Sequence, residues 1–467
     1  MRRADEGSQG MSRRIDTDVV VLGAGPAGLA AACAAMEAGA RVVLVEREER
    51  VGGILKQCVH DGFGLVRYRS KLSGPEYALR DADRFAALGG AVMLEAFVTK
   101  AERRDGGFSL SCVDKGGVVE LSSKALVLAT GCRERTDRQV FIHGDRPAGI
   151  LTAGLAQYMI NVQGLLPGRR ALILGSGDIG LIMARRMTLE GMEVVGAHEA
   201  KPEPSGLSRN VRQCLEDFSI PLELSSTVTS VRGGRRVEGV TTARVDEAMR
   251  PIPGTERDVE CDTLVLSVGL IPENELARSL GVPLDPATKG PKVDQSMHTL
   301  VDGVFACGNA VHVNDLADYV SESGETAGRA AAAYASPGAR PERRLVPVEA
   351  GPGFLYAVPQ LVDLGSAAAE ASGGATGAGS AGSAGSTGGA DERAAFYFRS
   401  RATMPGGAVV RMATADGTEL YKRRYAVLRP PEMERFELSP HALSEALAGM
   451  RGDGARLVVG MERLEPK

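Results

Sequence analysis

Glycines at fixed spacing, with a carboxylate a set distance downstream, can hold the pyrophosphate and a ribose of a dinucleotide. This 467-residue chain carries two such sets. Gly23, Gly25 and Gly28 form one G-x-G-x-x-G, and Glu46 lies 23 residues after Gly23. Gly175, Gly177 and Gly180 form another, and Glu199 lies 24 residues after Gly175. The first glycine of each set lets the chain turn tightly. The second lets backbone approach a phosphate with no Cβ between them, and the third lets helix and strand pack closely. Amides at the following helix N-terminus then face the phosphates, and the acid accepts from ribose hydroxyls. A third candidate is Cys58 with His60, where an imidazole two residues away could lower a thiol pKa and make a nucleophile or redox group. The alternative is that Cys58 is a small packing residue and His60 a polar loop residue.

The elements that must position these groups are legible around them. DVVVL enters the first fingerprint, a small-residue run follows, and RVVLVE ends at Glu46. RRALIL and EVVGAHE bracket the second in the same way. Apolar β-type runs alternating with helical runs predict βαβ units with parallel sheets. One lone fingerprint is weak evidence; two in full context are strong.

Three more stretches extend the pattern: ALVLATGCRER (Ala125–Arg135), TLVLSVGLIPENEL (Thr263–Leu276) and GVFACGNAVH (Gly303–His312). With the fingerprints, they resemble the pyridine nucleotide-disulfide oxidoreductase superfamily, flavoproteins with two dinucleotide-binding domains, over roughly Asp16 to Ser336. The resemblance implies an α/β fold of two Rossmann-like FAD/NAD(P)-binding domains of the three-layer ββα type. It implies FAD on Gly23, Gly25, Pro26, Ala27, Gly28, Glu46, Arg47, Gly52, Gly53, Val98, Thr130, Gly131, Gly308 and Asn309. It implies NAD(P)H on Gly175, Gly177, Asp178, Ile179, Gly180, Glu199 and Gly269. Asn309 stands where the family has Asp; its amide oxygen still accepts from a ribityl hydroxyl, but a charge is lost. Glu199 favours NAD(H) over NADP(H), because a carboxylate there repels a 2′-phosphate, although Lys201 works against it. The flavin carries the chemistry, and the protein supplies position and field.

The family's paired redox cysteines are missing. The seven cysteines (33, 58, 112, 132, 214, 261 and 307) form neither C-x-x-C nor C-x4-C, so disulfide reduction is not expected. Their usage suits a reduced, cytoplasmic protein. Instead VGGILKQCVHDGFGLVRYRSKLSGPEYA (Val51–Ala78), GCRER, LTAGLAQYMIN and VNDLADYVSESGETAG resemble a narrower family of bacterial FAD/NAD oxidoreductases. Its members often accompany a glycerol-3-phosphate dehydrogenase-like flavoprotein. A looser likeness extends to FAD/NAD-type subunits of heteromeric amine, opine and proline dehydrogenases. The resemblance therefore implies hydride exchange between NAD(P)H and flavin, with electrons passed to or from a second substrate or a partner flavoprotein. An electron-transfer subunit inactive alone and a redox-sensing dinucleotide-binding protein remain open beside it, as does a homo-oligomer.

The net charge of −4 gives no basic footprint for nucleic acid. No run of about 18 apolar residues offers a membrane span, and no His/Cys cluster has metal-ligand spacing. Residues 1–15 read as a disordered tail. Residues 16–148 and 287–338 read as a discontinuous FAD domain, with 149–286 as the inserted NAD(P) domain. Within it, Ile150–Gly164 reads as a connecting helix capped by Thr152. Beyond residue 340, short alternating runs predict a small C-terminal all-β, sandwich-like domain. A Gly/Ala/Ser stretch at 365–393 interrupts it and reads as a flexible loop.

Overall fold

The computed structural model describes residues 13–338, 342–365, 393–448 and 455–464. The first unit is built on a five-stranded parallel sheet. Its spatial order is Val304–Ala306, Ala125–Leu128, Val19–Leu22, Val42–Val45 and Ala91–Met93. These strands are continuous apolar runs because both sheet faces are covered. Helices Pro26–Glu37 and Ala317–Ala335 pack together over the strands. They approach so closely that a Cβ on Gly324 or Gly328 would lie 2.2 and 2.1 Å from the carbonyl oxygens of Ala27 and Ala31. Strand Val304–Ala306 and helix Ala317–Ala335 arrive from the far side of the second unit, so the first core closes only after that unit has been traversed.

The second unit repeats the plan. Its parallel sheet runs Ile150–Thr152, Thr263–Leu266, Arg170–Leu174, Glu193–Glu199 and Leu222–Leu224. The two crossovers between the units, Cys132–Glu134 and Leu270–Pro272, pair antiparallel as a short ribbon.

Four sequence expectations need correcting. Residues 13–15 belong to strand Arg13–Asp16, which pairs in parallel with Gly117–Ser123 and so extends the first meander. The chain reaches the second unit before residue 149, since His143–Gly144 pairs with Ser226–Arg232 of the second meander. The segment expected as one helix over Ile150–Gly164 begins as sheet strand Ile150–Thr152. Its helix covers only Ala153–Asn161, with the Leu155 amide donating to Thr152 Oγ1 at 3.3 Å. The C-terminal region is not all-β, because helix Pro440–Ala448 buries Leu443 and Leu447 in its core.

That C-terminal region pairs a five-stranded sheet (Leu361–Asp363, Leu345–Ala350, Leu457–Arg463, Ala408–Thr414, Glu419–Tyr425) with a three-stranded one (Phe354–Val358, Ala394–Ser400, Met433–Leu438). Phe396, Phe398, Val410 and Met412 fill the space between them. The Gly/Ala/Ser stretch lies outside the described residues apart from its ends. Polar bonds tie the region to both units. Arg399 pairs with Asp315. Gln295 and Asp363 exchange hydrogen bonds at 2.9 and 2.8 Å. Thr403 Oγ1 donates to Glu203 at 2.6 Å.

Candidate dinucleotide sites and the junction between them

The two fingerprints are built by the same local solution. Gly23 takes φ +98°, and a Cβ there would lie 2.4 Å from the Ala129 carbonyl oxygen. Gly28 presses its Cα face onto Gly23, where a Cβ would sit 1.7 Å from the carbonyl oxygen. Gly175 repeats the first contact, 2.0 Å from the Ser267 carbonyl. In front of Gly25 the space is open: an added Cβ would come no nearer than 3.9 Å to Gly53 Cα. That opening lies at the N-cap of helix Pro26–Glu37, where no side chain caps the first amides, a geometry suited to an anion.

Both acids are buried, and both are held by the fingerprint itself. Glu46 accepts from the Ala24 amide at 2.7 Å and the Glu48 amide at 2.9 Å. Glu199 accepts from the Ser176 amide at 3.1 Å, the Ser176 hydroxyl at 2.6 Å and the Lys201 amide at 3.0 Å. In each case one donor is the middle residue of G-x-G and another lies two residues past the acid. A carboxylate has about four acceptor positions, so each keeps capacity for a ribose hydroxyl.

The remaining predicted positions are dispersed around these centres. Gly52 donates its amide to the Ala24 carbonyl at 2.7 Å, which brings Gly53 against Gly25. Thr130 donates to the Glu273 carbonyl at 2.6 Å, and the Glu273 amide returns to Gly131, so this turn is fastened to the second crossover. Arg47 pairs with Glu273 at 3.3 Å and Arg133 with Glu275 at 2.8 Å, both as ion pairs at the junction. Val98 is half-buried on the first meander. Gly308 donates to Ser323 Oγ at 2.9 Å. Asn309 does not offer a free acceptor: its Oδ1 takes the Asn314 amide at 3.0 Å and Asn314 Nδ2 at 3.3 Å, while its Nδ2 faces Cys132 Sγ at 3.6 Å.

In the second unit Asp178 is the first residue of its helix, and its carboxylate turns outward. It accepts from the Leu207 amide at 2.9 Å and Asn210 Nδ2 at 2.7 Å, fastening the 200–207 loop beside the fingerprint. Ile179 is half-buried beside it, and Gly269 takes φ +102° at the second crossover. The Gly180 amide already donates to Ser267 Oγ at 3.1 Å, leaving the amides of Asp178 and Ile179 at the helix start.

The Cys58–His60 arrangement does not form as a thiolate pair. Cys58 Sγ donates to the Ile54 carbonyl at 3.3 Å and reaches Gln157 Oε1 at 3.7 Å. The His60 ring bonds the Asp61 carbonyl and lies 5.1 Å from the Phe63 ring. With no cation beside it, burial pushes the Cys58 thiol up to about 12. The shared loop does not aim the imidazole at sulfur. Cys132 is likewise pushed up to about 11 by burial.

Sequence reasoning missed a buried polar junction between the units. Gln57 Nε2 donates to the Gly154 carbonyl at 2.8 Å and Gln157 Oε1 at 3.1 Å, and Asn161 Nδ2 donates to the Gln57 carbonyl at 2.8 Å. The Gly154 amide donates to Glu134. It also missed Ser176 and Ser267, although laying Ala129–Gly131 over Ser267–Gly269 exposes the second. His312 is buried between the rings of Tyr356 and Tyr397, 5.8 and 5.5 Å away. Neither ring nitrogen has a partner among the described residues. Burial, with Arg399 adding to it, holds its pKa down to about 3. A cavity of about 560 Å³ between helix Ala317–Ala335 and the C-terminal sheets contains none of the fingerprint residues. Among the described residues no helix is long and apolar enough to cross a membrane, and no three His, Cys, Asp or Glu side chains gather as a metal site.

Comparison with known proteins places these sites in a family context. Residues 17–335 match the family model described as pyridine nucleotide-disulphide oxidoreductase. The chain is 24% identical over 335 residues to an opine oxidase subunit of Agrobacterium tumefaciens (strain Ach5), covering 68% of this chain and 64% of that protein. It is 26% identical over 330 residues to the thioredoxin reductase of Treponema pallidum (strain Nichols), covering 68% of this chain and 97% of that one. The crystal structure of Lactococcus lactis thioredoxin reductase superposes with a TM-score of 0.57 at 21% identity, covering 68% of this chain and 99% of that one. The chain thus spans just under two thirds of the opine oxidase protein, and the residues beyond 335 fall outside the family match.

Proposed function

Because the chain belongs to the pyridine nucleotide-disulphide oxidoreductase family, a family of FAD- and pyridine nucleotide-dependent oxidoreductases, we propose that it exchanges hydride between NADH and FAD. Electrons then pass to or from a second substrate or a partner flavoprotein. The observation that carries this reading is the duplicated site: two glycine turns of the same build, each with a buried acid locked by the turn's own amide. FAD is assigned to the turn at Gly23–Gly28 and the nicotinamide nucleotide to that at Gly175–Gly180. When bound, the flavin supplies the hydride-accepting chemistry. This chain's residues orient and fasten. Glu46 and Glu199 receive ribose hydroxyls, and the helix N-termini at Gly25 and Gly177 receive phosphates. The Gln57, Gln157 and Asn161 junction holds the two units against each other. NADH is preferred over NADPH because Glu199 is a buried carboxylate and repels a 2′-phosphate.

A disulfide substrate does not suit the chain. All seven cysteines are free, five are buried, and the thiols of Cys58 and Cys132 are held protonated by burial. The likeness to an oxidase component favours a second reading, an electron-transfer subunit of a heteromeric dehydrogenase. A glycerol-3-phosphate dehydrogenase-like partner is supported by the sequence motifs alone. A cytoplasmic location is supported by cysteine usage.

The test is anaerobic stopped-flow of the FAD-loaded full chain with NADH and, separately, NADPH, following the flavin band near ~450 nm. Rapid bleaching by NADH and slow bleaching by NADPH is the expected result. No bleaching by either nucleotide, with FAD bound, would overturn the proposal for the chain acting alone and shift it to the electron-transfer reading.

A further inference from the structure

The loop that follows Glu199 doubles back to the second fingerprint. It reads Lys201-Pro202-Glu203-Pro204-Ser205-Gly206-Leu207. Two prolines flank Glu203, so the crest lacks two amide donors and has a fixed φ on either side. The flanks are tied inward to the nucleotide site. The Lys201 amide donates to Glu199 at 3.0 Å, the Ser205 amide to Ser176 Oγ at 2.8 Å, and the Leu207 amide to Asp178 at 2.9 Å. The crest is held from outside: the Glu203 carboxylate accepts the Thr403 hydroxyl of the C-terminal region at 2.6 Å.

Thr403 stands on a braced base. The Arg401 amide donates to the Gly353 carbonyl and the Met404 amide to the Leu428 carbonyl, both at 2.8 Å, and Met404 is buried in the C-terminal core. Four residues earlier, the Arg399 guanidinium donates to Tyr356 Oη at 3.0 Å, to the Pro430 and Pro431 carbonyls at 2.9 and 2.7 Å, and to Asp315. Asp315 follows Asn314, whose amide holds Asn309. One end of this short segment therefore meets the nucleotide loop, and the other meets the chain leaving the Gly308–Asn309 turn. Those two places lie within electrostatic reach: burial raises the pKa of Asp315, Arg399 works against the rise, and Asp178 on the second fingerprint helix adds to it. We infer that residues 399–403 form a strut between the two cofactor sites, with Arg399 and Thr403 as positioning residues that set the nucleotide loop against the Gly308–Asn309 turn. The inference rests on the reading that NADH and FAD occupy those sites. Hydride transfer is sensitive to such placement, since a misplacement of about 1 Å can cost roughly 100-fold in rate. Nucleotide affinity is less sensitive, because the three inner anchors of the loop do not involve Thr403.

Thr403→Val keeps the side-chain shape and removes the hydroxyl. In the FAD-loaded full chain, the limiting rate of flavin bleaching by NADH should fall about tenfold, the fold-change that matches loss of one hydrogen bond to a charged group. The NADH dissociation constant should move less than about threefold, and the FAD content per chain should stay that of wild type. Thr403→Ser, which keeps the hydroxyl, should restore the rate. Glu203→Ala should match Thr403→Val, and the double variant should be no slower than either single one, because both remove the same bond. A Thr403→Val rate within about threefold of wild type would overturn the inference, as would losses that add in the double variant. Hydrogen exchange reads the strut without turnover: the Ser205 and Leu207 amides should exchange at least ~fivefold faster in Thr403→Val, and unchanged exchange would also overturn it. A wild-type chain that NADH does not bleach would refute the hydride reading, and the exchange result would then decide the strut by itself.

Discussion

Replacing Glu199 by Gln separates charge from shape at the second site. The wild-type carboxylate accepts from the Ser176 amide, the Ser176 hydroxyl and the Lys201 amide. A glutamine side chain has one oxygen and one NH₂ group, so at least one of those donors would face another donor. Leaving one buried donor unmet costs about 1–3 kcal/mol. That cost falls on the fingerprint loop and weakens NADH and NADPH alike, so it cancels in their ratio. The charge does not cancel. At ~4 Å and an effective dielectric near 20, a pair of unit charges interacts by about 4 kcal/mol. Relief of only half that repulsion, ~2 kcal/mol, moves selectivity about 30-fold toward NADPH. The assay is the ratio of kcat/KM for flavin bleaching by NADH and by NADPH, in wild type and Glu199→Gln. A ratio that moves by less than about threefold while both absolute values fall would refute the charge argument. It would leave Glu199 as a brace for Ser176 and nothing more.

Three further outcomes are expected. Gly28→Ala places a methyl 1.7 Å from the Gly23 carbonyl oxygen. The protein should purify without FAD or lose at least ~1–3 kcal/mol of stability, the usual cost of overpacking a tight contact; flavin absorbance per chain reads the first outcome and chemical denaturation the second. Cys58→Ala should keep the rate of flavin bleaching within about threefold, because a thiol pushed up to about 12 is protonated at neutral pH; a loss beyond tenfold would restore Cys58 as a redox group. For His312 the folded value of about 3 lies below the unfolded value near 6.5, so between those limits the unfolded chain holds one more proton. Stability therefore falls as pH drops below ~6.5, by up to about 1.4 kcal/mol per pH unit from this group. His312→Phe should flatten that part of the curve and leave the region above pH 7 unchanged, as urea titrations from pH 5 to 8 would show.

Several features were legible because they depend on neighbours along the chain. The glycine turns need only a strand before and a helix after. Glu46 and Glu199 sit where a strand of fixed rise must end, so counting residues locates them. The Thr152 cap follows from its place before a helical run, although the strand at Ile150–Thr152 does not, since its partner Thr263–Leu266 lies more than a hundred residues away. Helix Pro440–Ala448 was hidden for a similar reason: PHALSEALA is short, and only the C-terminal core gives Leu443 and Leu447 something to pack against.

By itself the sequence determined the two βαβ units, their fingerprints and the acids that close them, because these are set by local backbone geometry and the size of a missing side chain. The tertiary structure alone decided which donors lock those acids. It sent Asn309 to Asn314 instead of leaving its oxygen free, and parted His60 from Cys58 across two residues of loop. It also set Gln57 against Gln157, a hundred positions on. Such contacts depend on where separate elements come to rest against each other, and no spacing along a single strand or helix encodes that.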